Sequence, residues 1–387
     1  MIPTDRLEQL RTLFPFTTAG TIYLNHAGTS PLSTRVVETM TRYLHERSAG
    51  KIENYVDDLK MVTGLRGMVQ RMIGAPSPDR ISFHANTSDA INIVAAGLQW
   101  KPGDRVLLNS IEFPANVYPY LNVRRHGVEI DFLDSASGRI PLETIERGMT
   151  ARTRLLALSA VQFLSGYRAD LEAIGRVCRS RDIVFAVDGI QAVGAVRIDV
   201  QRMNIDALAA GCQKWQMGPQ GAGFLYLTEE LQHRIHQATL GWLSVDNPWE
   251  FYDYAQPLAA SARRYEGGTL TIPSLWGMHA GLATLLDVGM DDVEDQILGL
   301  TEILIEEILA DGSIDLYTPP DRLHRAGIVT VNLPPHIDQN TTFRTLAARK
   351  LITAIREGKL RLSPHFYNSP DEMRRTAAII REYFARP

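Results

Sequence analysis

Cysteine is almost absent from this chain of 387 residues, with only Cys178 and Cys212 present. That excludes a disulfide framework and suits a reducing compartment, the cytoplasm being the default address. No apolar run approaches the roughly 20 residues that a membrane-spanning helix needs, and residues 1–16 lack the apolar stretch of a cleaved signal peptide. Neither sign of charge dominates: a formal net charge of −4 gives no electrostatic reason to expect nucleic acid or a membrane as partner. Lysine is scarce too, at six residues. Repeats and low-complexity tracts are lacking. What remains is an ordinary globular balance, 45% hydrophobic and 22% charged, in a chain long enough for a large core and two domains.

Between Ile81 and Leu227, short β-type runs alternate with helical patterns. Seven segments read as strands: Ile81–Phe83, Arg105–Asn109, Glu129–Leu133, Arg154–Ser159, Ile183–Val187, Ala207–Ala210 and Gly223–Leu227. Several are apolar on both faces, as in a sheet covered on both sides. Helical stretches include Asp89–Leu98 and Leu171–Arg181. The alternation predicts an α/β large domain built on a mostly parallel seven-stranded sheet covered by helices. After about Tyr254 come helical stretches at Pro273–Asp287 and Val293–Ala310, a β-type run at Ile328–Leu333, and helices at Thr342–Ile355 and Asp371–Phe384. These predict a smaller α+β domain. The expected division is 20–255 for the large domain and 1–19 with 256–387 for the small one. Ligands of open α/β sheets gather at the carboxyl ends of the strands, so chemistry is expected just after them.

Five of the six lysines sit among polar or loop residues. Lys214 instead follows a small-residue strand and precedes the Gly-rich turn Gly218–Gly223. A lysine in apolar surroundings loses its proton readily and can form an imine, although a strand-end lysine can equally snorkel to solvent. Asp188 ends an earlier strand and is followed by Gln191. A carboxylate there could hold the ring nitrogen of pyridoxal phosphate in the protonated form that makes it an electron sink; its alternative is a plain turn or cap residue. Thr87 and Ser88 open a helix after the strand Ile81–Phe83. That position suits a phosphate, or an unliganded capping box. His233 and His236 stand one helical turn apart without an acidic partner and read as exposed helix residues, so no metal is expected. The dinucleotide fingerprint is missing after the early strands, which disfavours an oxidoreductase of that kind.

In combination, Asp188…Gln191, the stretch around Lys214 and the segment Leu360–Asn368 resemble the class V aminotransferase family of fold type I pyridoxal-phosphate enzymes. That family also includes cysteine desulfurases, kynureninases and isopenicillin N epimerase. The resemblance runs from Tyr23 to Asn368. It implies pyridoxal 5′-phosphate as cofactor, an amino acid as substrate, and an aldimine on Lys214, which would also move the α-proton. It further implies that Asp188 pairs with the ring nitrogen and Gln191 lies near the ring oxygen. Thr87, Ser88 and Gln213 would hold the phosphate, with Gln213 standing where many members have histidine. Phe113 would stack on the ring, where desulfurases have a histidine. Arg361 would bind the substrate carboxylate, with Asn25 and His26 nearby. Thr269, in a Gly-Thr motif, would reach the phosphate of a neighbouring subunit, implying a homodimer with shared sites. Val161–Gly166 and Gly241-Trp242 resemble kynureninases.

Desulfurases place a nucleophilic cysteine between the small-domain strand and the arginine, and residues 334–360 contain none. Persulfide chemistry on the protein is therefore not expected. Transamination is the leading expectation, with β-elimination (including C–S lysis) or epimerisation as alternatives, and a non-catalytic cofactor-binding protein as a distant one.

Overall fold

The computed structural model describes residues 1–51, 55–310 and 312–385. Seven strands form the central sheet: β1 (Ile81–His84), β2 (Arg105–Asn109), β3 (Glu129–Leu133), β4 (Thr153–Ser159), β5 (Val184–Asp188), β6 (Ala207–Gly211) and β7 (Gly223–Leu227). Their order across the sheet is β1-β7-β6-β5-β4-β2-β3. Only β7 runs against the rest, pairing antiparallel with both β1 and β6. Consequently β1 points the same way as β6, and the residues after β1, β5 and β6 emerge at one edge.

The expected large-domain architecture is borne out, and side-chain alternation explains it. Leu107, Leu156, Phe185, Leu208 and Phe224 enter one hydrophobic cluster, whereas Val106, Leu155, Val184, Ala207 and Leu225 enter the cluster on the other face. A strand buried on both faces needs apolar residues at every position, and these strands have them. The first face is covered by helices not anticipated from the sequence, among them Tyr55–Ile73, whose Val62, Leu65, Val69 and Ile73 are buried. That helical spacing was legible.

A third cluster forms the smaller α+β unit. It combines helix Met290–Leu309, helix Pro370–Phe384 and a three-stranded antiparallel sheet of β8 (Val329–Asn332), β9 (Ala354–Arg356) and β10 (Lys359–Leu362). One expectation here is corrected. The helix predicted at Thr342–Ile355 spans Gln339–Ala348 and is followed by short strands. Lys350 adopts a left-handed φ of +59°, which a continuing helix forbids. Ile352 and its neighbour Leu351 then pair in parallel with Ile22–Tyr23.

The hydrophobic clusters do not divide at residue 255. Leu275, Leu282 and Ile297 pack with the large cluster, while Ile22 and Leu24 pack with the small one. We propose a break within the helix Met290–Leu309, with residues 22–25 crossing between the two units as a strap.

Trp215, beside the key lysine, is fully buried and fills the space over Gly327, where an added Cβ would lie 2.3 Å from the indole ring. Overpacking a tight core site costs about 1–3 kcal/mol. Gly327→Ala should lower unfolding stability by about that amount in a denaturant titration; an unchanged midpoint would contradict this packing.

Candidate active site

The sheet edge carries a cavity of about 250 Å³. Its walls include Thr87, Ser88, Phe113, Asp188, Gln191, Gln213, Lys214 and Arg361. Eight of the residues singled out in the sequence thus converge on one space, although they span more than 270 positions.

Asp188 ends β5 and is 1% exposed. One carboxylate oxygen accepts the Ile190 N–H at 2.9 Å, and among the described residues no cation lies within ion-pairing distance. Burial pushes this carboxyl well up from its ordinary value; the Ile190 N–H opposes that, the charge of Glu112 adds to it, and Lys214 opposes it. Burial also pushes the Lys214 ammonium down, against the pull of Asp188 and with further repulsion from Arg361 and Arg356. Lys214 Nζ lies 5.5 Å from the centroid of the Phe113 ring, and Phe113 meets Phe163 edge to face at 5.3 Å.

The lysine loop is clamped from several sides. Ser30 N–H donates to the Gln213 carbonyl at 2.9 Å, and the Ser30 hydroxyl donates to that of Lys214. The indole N–H of Trp215 donates to Gln191 Oε1 at 2.8 Å, and Gln191 Nε2 donates to the Ala27 carbonyl at 3.0 Å. The His365 Nε2 contacts the Trp215 carbonyl at 2.9 Å. Gln191 therefore stands at the cavity wall with its amide oriented by the loop it faces.

Beside the start of that loop, Thr87 and Ser88 begin the helix Thr87–Gly97. Asn86 caps it by accepting the Asp89 N–H at 2.9 Å, so the capping reading holds, yet the first N–H groups of the helix still lack intrahelical partners. The Thr87 hydroxyl oxygen accepts the Gly211 N–H at 2.9 Å, which leaves its proton to donate. A Cβ on Gly211 would lie 2.5 Å from Gln213 Oε1 and 3.2 Å from Thr87 Oγ1. Glycine at that strand end is what lets these side chains draw together.

Arg361, on β10, is 2% exposed and donates from Nη1 to the Phe163 carbonyl at 2.7 Å; its Nε is buried without a partner.

Three expected residues stand outside the cavity. His26 is fully buried with Nδ1 at 2.8 Å from the Ser363 carbonyl and Nε2 at 2.8 Å from the Tyr367 hydroxyl. Burial, with the nearby His365, holds it well below the ordinary imidazole range. It pins the strap to the segment after β10 instead of facing a ligand. Asn25 folds over cavity-lining Gly28, where a Cβ would lie 2.6 Å from Asn25 Oδ1. Thr269 lies on a different, aromatic-lined groove with Trp242 and Trp249. Glu266, three residues earlier, is tied to Arg66 at 2.6 Å and to the Phe83 N–H at 2.7 Å, which fixes the Gly-Thr turn against β1.

Sequence reasoning missed Arg356, which lines the cavity. It also missed Glu112, a buried carboxylate that accepts the Ser159 N–H at 2.7 Å, the Ser159 hydroxyl at 2.6 Å and Gln162 Nε2 at 2.9 Å. An acidic residue beside Phe113 inside an otherwise apolar stretch was the available signal. His233 and His236 are both exposed, with His236 beyond the end of helix Glu229–Arg234.

The model for aminotransferase class-V matches residues 22–367. The chain belongs to the class-V aminotransferase family. Family relatives include a probable cysteine desulfurase of Methanothermobacter thermautotrophicus, 28% identical, the match covering 93% of this chain and 94% of that one. Another is the uncharacterized aminotransferase YcbU of Bacillus subtilis, 27% identical over 95% of both. Among solved structures, the apo cysteine desulfurase of Thermococcus onnurineus superposes with a TM-score of 0.87 at 25% identity, covering 97% of this chain and 98% of that one. The cystine C–S lyase C-DES, in complex with cysteine persulfide, shares the fold with a TM-score of 0.86 at 23% identity, covering 95% and 98%. The protein is thus an enzyme of this family, of transferase or lyase type, and its cofactor is pyridoxal 5′-phosphate.

The residues present fit that group. A buried carboxylate without a cation is costly, and a protonated ring nitrogen beside Asp188 would supply one. The neutral donors of Thr87, Ser88 and Gln213 suit a phosphate at a helix start.

Because burial depresses the Lys214 amine, covalent attachment of cofactor to the apoprotein should speed up as pH rises through a midpoint well below that of a free lysine, about 10.4. The deprotonated amine is the reactive form, so the rate rises with pH. Borohydride trapping at a series of pH values measures this, and a midpoint at about 10.4 would contradict the burial argument.

Proposed function

We propose that this enzyme is a lyase that eliminates a sulfur substituent from Cβ of an α-amino acid, with Lys214 as its proton-transfer group. The observation that carries this reading is the position of sulfur on the protein itself. Cys178 and Cys212 are both buried, and burial pushes both thiols up, so neither presents a thiolate. Between β8 and Arg361 no cysteine occurs, and β9 turns directly into β10 through Glu357 and Gly358, whose φ values are +46° and +72°. Two residues at positive φ make a tight hairpin turn, which leaves no length for a loop carrying a nucleophile. Relatives bear desulfurase names, and desulfuration needs a thiolate acceptor. Without one, sulfur leaves with a small molecule, as in the cystine C–S lyase C-DES, whose reaction product is cysteine persulfide.

The roles follow from the chemistry of each group. Arg361 holds the substrate α-carboxylate, its unpaired Nε and the rest of the fork being suited to two parallel hydrogen bonds. Asp188 fixes the cationic ring nitrogen, Gln191 borders the ring oxygen, and Thr87, Ser88 and Gln213 hold the phosphate. When bound, pyridoxal phosphate supplies the electron sink that makes the α-proton removable. Lys214 takes that proton from Cα. The C–H electron pair becomes the Cα–Cβ double bond, and sulfur departs from Cβ with its bonding pair. Water then converts the released enamine to ammonia and a keto acid. Phe113 stacks but exchanges no proton; with Asp188 engaged at the ring nitrogen, Lys214 is the base left for Cα among the described lining residues. That disfavours epimerisation, which needs a base on each face. Transamination remains the second reading, favoured by the relative named as an aminotransferase.

The enzyme is further proposed to act as a homodimer. Trp242, Trp249, Phe251, Tyr252 and Tyr254 form an exposed aromatic face, with Tyr252 90% exposed, and Trp249 packs edge to face on Tyr55 at 4.8 Å. Patches of this kind mark association surfaces. Thr269 opens onto the groove they line, where it could reach a neighbour's phosphate. No described helix is long and apolar enough to cross a membrane; with both cysteines free, the cytoplasm is the proposed location.

The lyase reading predicts that a variant with Cys178→Ala and Cys212→Ala keeps its turnover of a β-thio-substituted amino acid to within about a few fold. Equal amounts of ammonia and keto acid should accumulate. Loss of sulfur release with folding intact would point to desulfuration on the protein. Conversion to the pyridoxamine form, reversed by keto acid, would establish transamination instead.

A further inference from the structure

Behind the cavity stands a carboxylate that the reaction as described does not use. Glu112 is 8% exposed and gathers five donors. They are Asn109 Nδ2 at 2.5 Å, Asn116 Nδ2 at 3.3 Å, the Ser159 N–H at 2.7 Å, the Ser159 hydroxyl at 2.6 Å and Gln162 Nε2 at 2.9 Å. Among the described residues no cation pairs with it. A buried charge so placed is costly. An amide there would turn its own N–H groups on these donors, so the cluster calls for an acceptor at both oxygens.

Its partners lead to the residues that line the cavity. Glu112 directly precedes Phe113, and Gln162 directly precedes Phe163. The Glu112–Gln162 bond therefore joins the two segments whose rings meet edge to face at 5.3 Å. Ser159 is the register partner of Asp188 across β4 and β5, and the Ala160 N–H donates to the Asp188 carbonyl at 2.9 Å. Buried polar networks of this kind rigidify what they join. Phe113 is 42% exposed, too open for packing alone to fix its ring, so the orientation must come from the backbone on either side. Glu112 anchors that backbone before the ring, and after the turn Pro114–Asn116 the Asn116 amide returns to the same carboxylate.

We propose that Glu112 is a positioning residue that holds the Phe113 ring in the orientation from which it stacks on the cofactor. The ring projects from a short loop closed on one buried carboxylate, and that carboxylate is tied through Ser159 to the strand end facing Asp188. The stacking face and the ring-nitrogen partner are thereby fixed relative to each other. This rests on the reading of Phe113 as the stacking residue.

The test is a double-mutant cycle on the full chain, stripped of cofactor and titrated with pyridoxal 5′-phosphate. Two quantities are read: the Kd of the cofactor, and the visible circular dichroism per bound cofactor, which reports how the ring is held. Phe113→Leu should raise Kd roughly fivefold or more, and Glu112→Gln should raise it by a similar factor. Because both act through one ring, the double variant should be no weaker than the weaker single variant, and all three should share one reduced dichroism. Glu112→Asp, which keeps both acceptor oxygens, should recover part of each loss. Losses that multiply in the double variant overturn the proposal. So does a Glu112→Gln protein that is less stable to heat yet keeps wild-type Kd and dichroism. Should Glu112→Gln fail to fold, Gln162→Met cuts one of the five bonds and must show the same non-additivity with Phe113→Leu; multiplying losses there overturn the proposal equally. A Phe113→Leu protein with wild-type Kd and dichroism removes the stacking reading itself, and the proposal with it.

Discussion

The structure around the cavity depends on one electrostatic arrangement: a carboxylate buried at the end of a strand, facing a lysine at the end of the next. Taking Asp188 out of water without an ion-pairing partner is expensive, and the cost is held in place by the apolar strands on either side. The same burial that raises the carboxyl lowers the lysine, so each group is tuned by its position in the sheet before any ligand arrives. A parallel sheet supplies such positions because its strand ends emerge side by side. The reversed β7 is what returns β1 to the same direction and delivers the helix start of Thr87 to that edge.

The strap of residues 22–30 joins this site to the small unit. Its backbone pairs with Leu351–Ile352, and Asn25 bridges Ser363 two residues beyond Arg361. His26 fastens it to Tyr367, and Ser30 fastens it to the lysine loop. Lys214 and Arg361 come from different units, which this tether links together with the Arg361–Phe163 and His365–Trp215 contacts. The buried rings of His26, His365 and Tyr367, within 5.1–6.3 Å of one another, are in this view a positioning device between the two halves of the site.

Much of this was legible in the sequence, for identifiable reasons. Strands apolar on both faces announced themselves by composition, and Asp188 and Lys214 stood out because each charged residue interrupts or ends such a run. The fold and cofactor followed from family motifs in order along the chain. A motif position says nothing about which way a ring turns: His26, expected near the substrate, uses both nitrogens internally. Arg356 was missed because an exposed strand arginine looks ordinary until hairpin register places it beside Arg361. The helix predicted through Ile355 overran because the left-handed turn at Lys350 is set by pairing with Ile22–Tyr23, more than 300 residues away in sequence. Glu112 takes hydrogen bonds from the nearby Asn109 and Asn116, but Ser159 and Gln162, which complete its burial, reach it only in the fold.

The central claim is that Lys214 is the single lysine on which this enzyme's chemistry is built. Borohydride reduction of the holoenzyme followed by peptide mapping tests it most directly. The account predicts one labelled peptide, containing Lys214, and no label in a Lys214→Ala variant that still folds. Label on any of the other five lysines, or none on the Lys214 peptide of the cofactor-loaded protein, would contradict it.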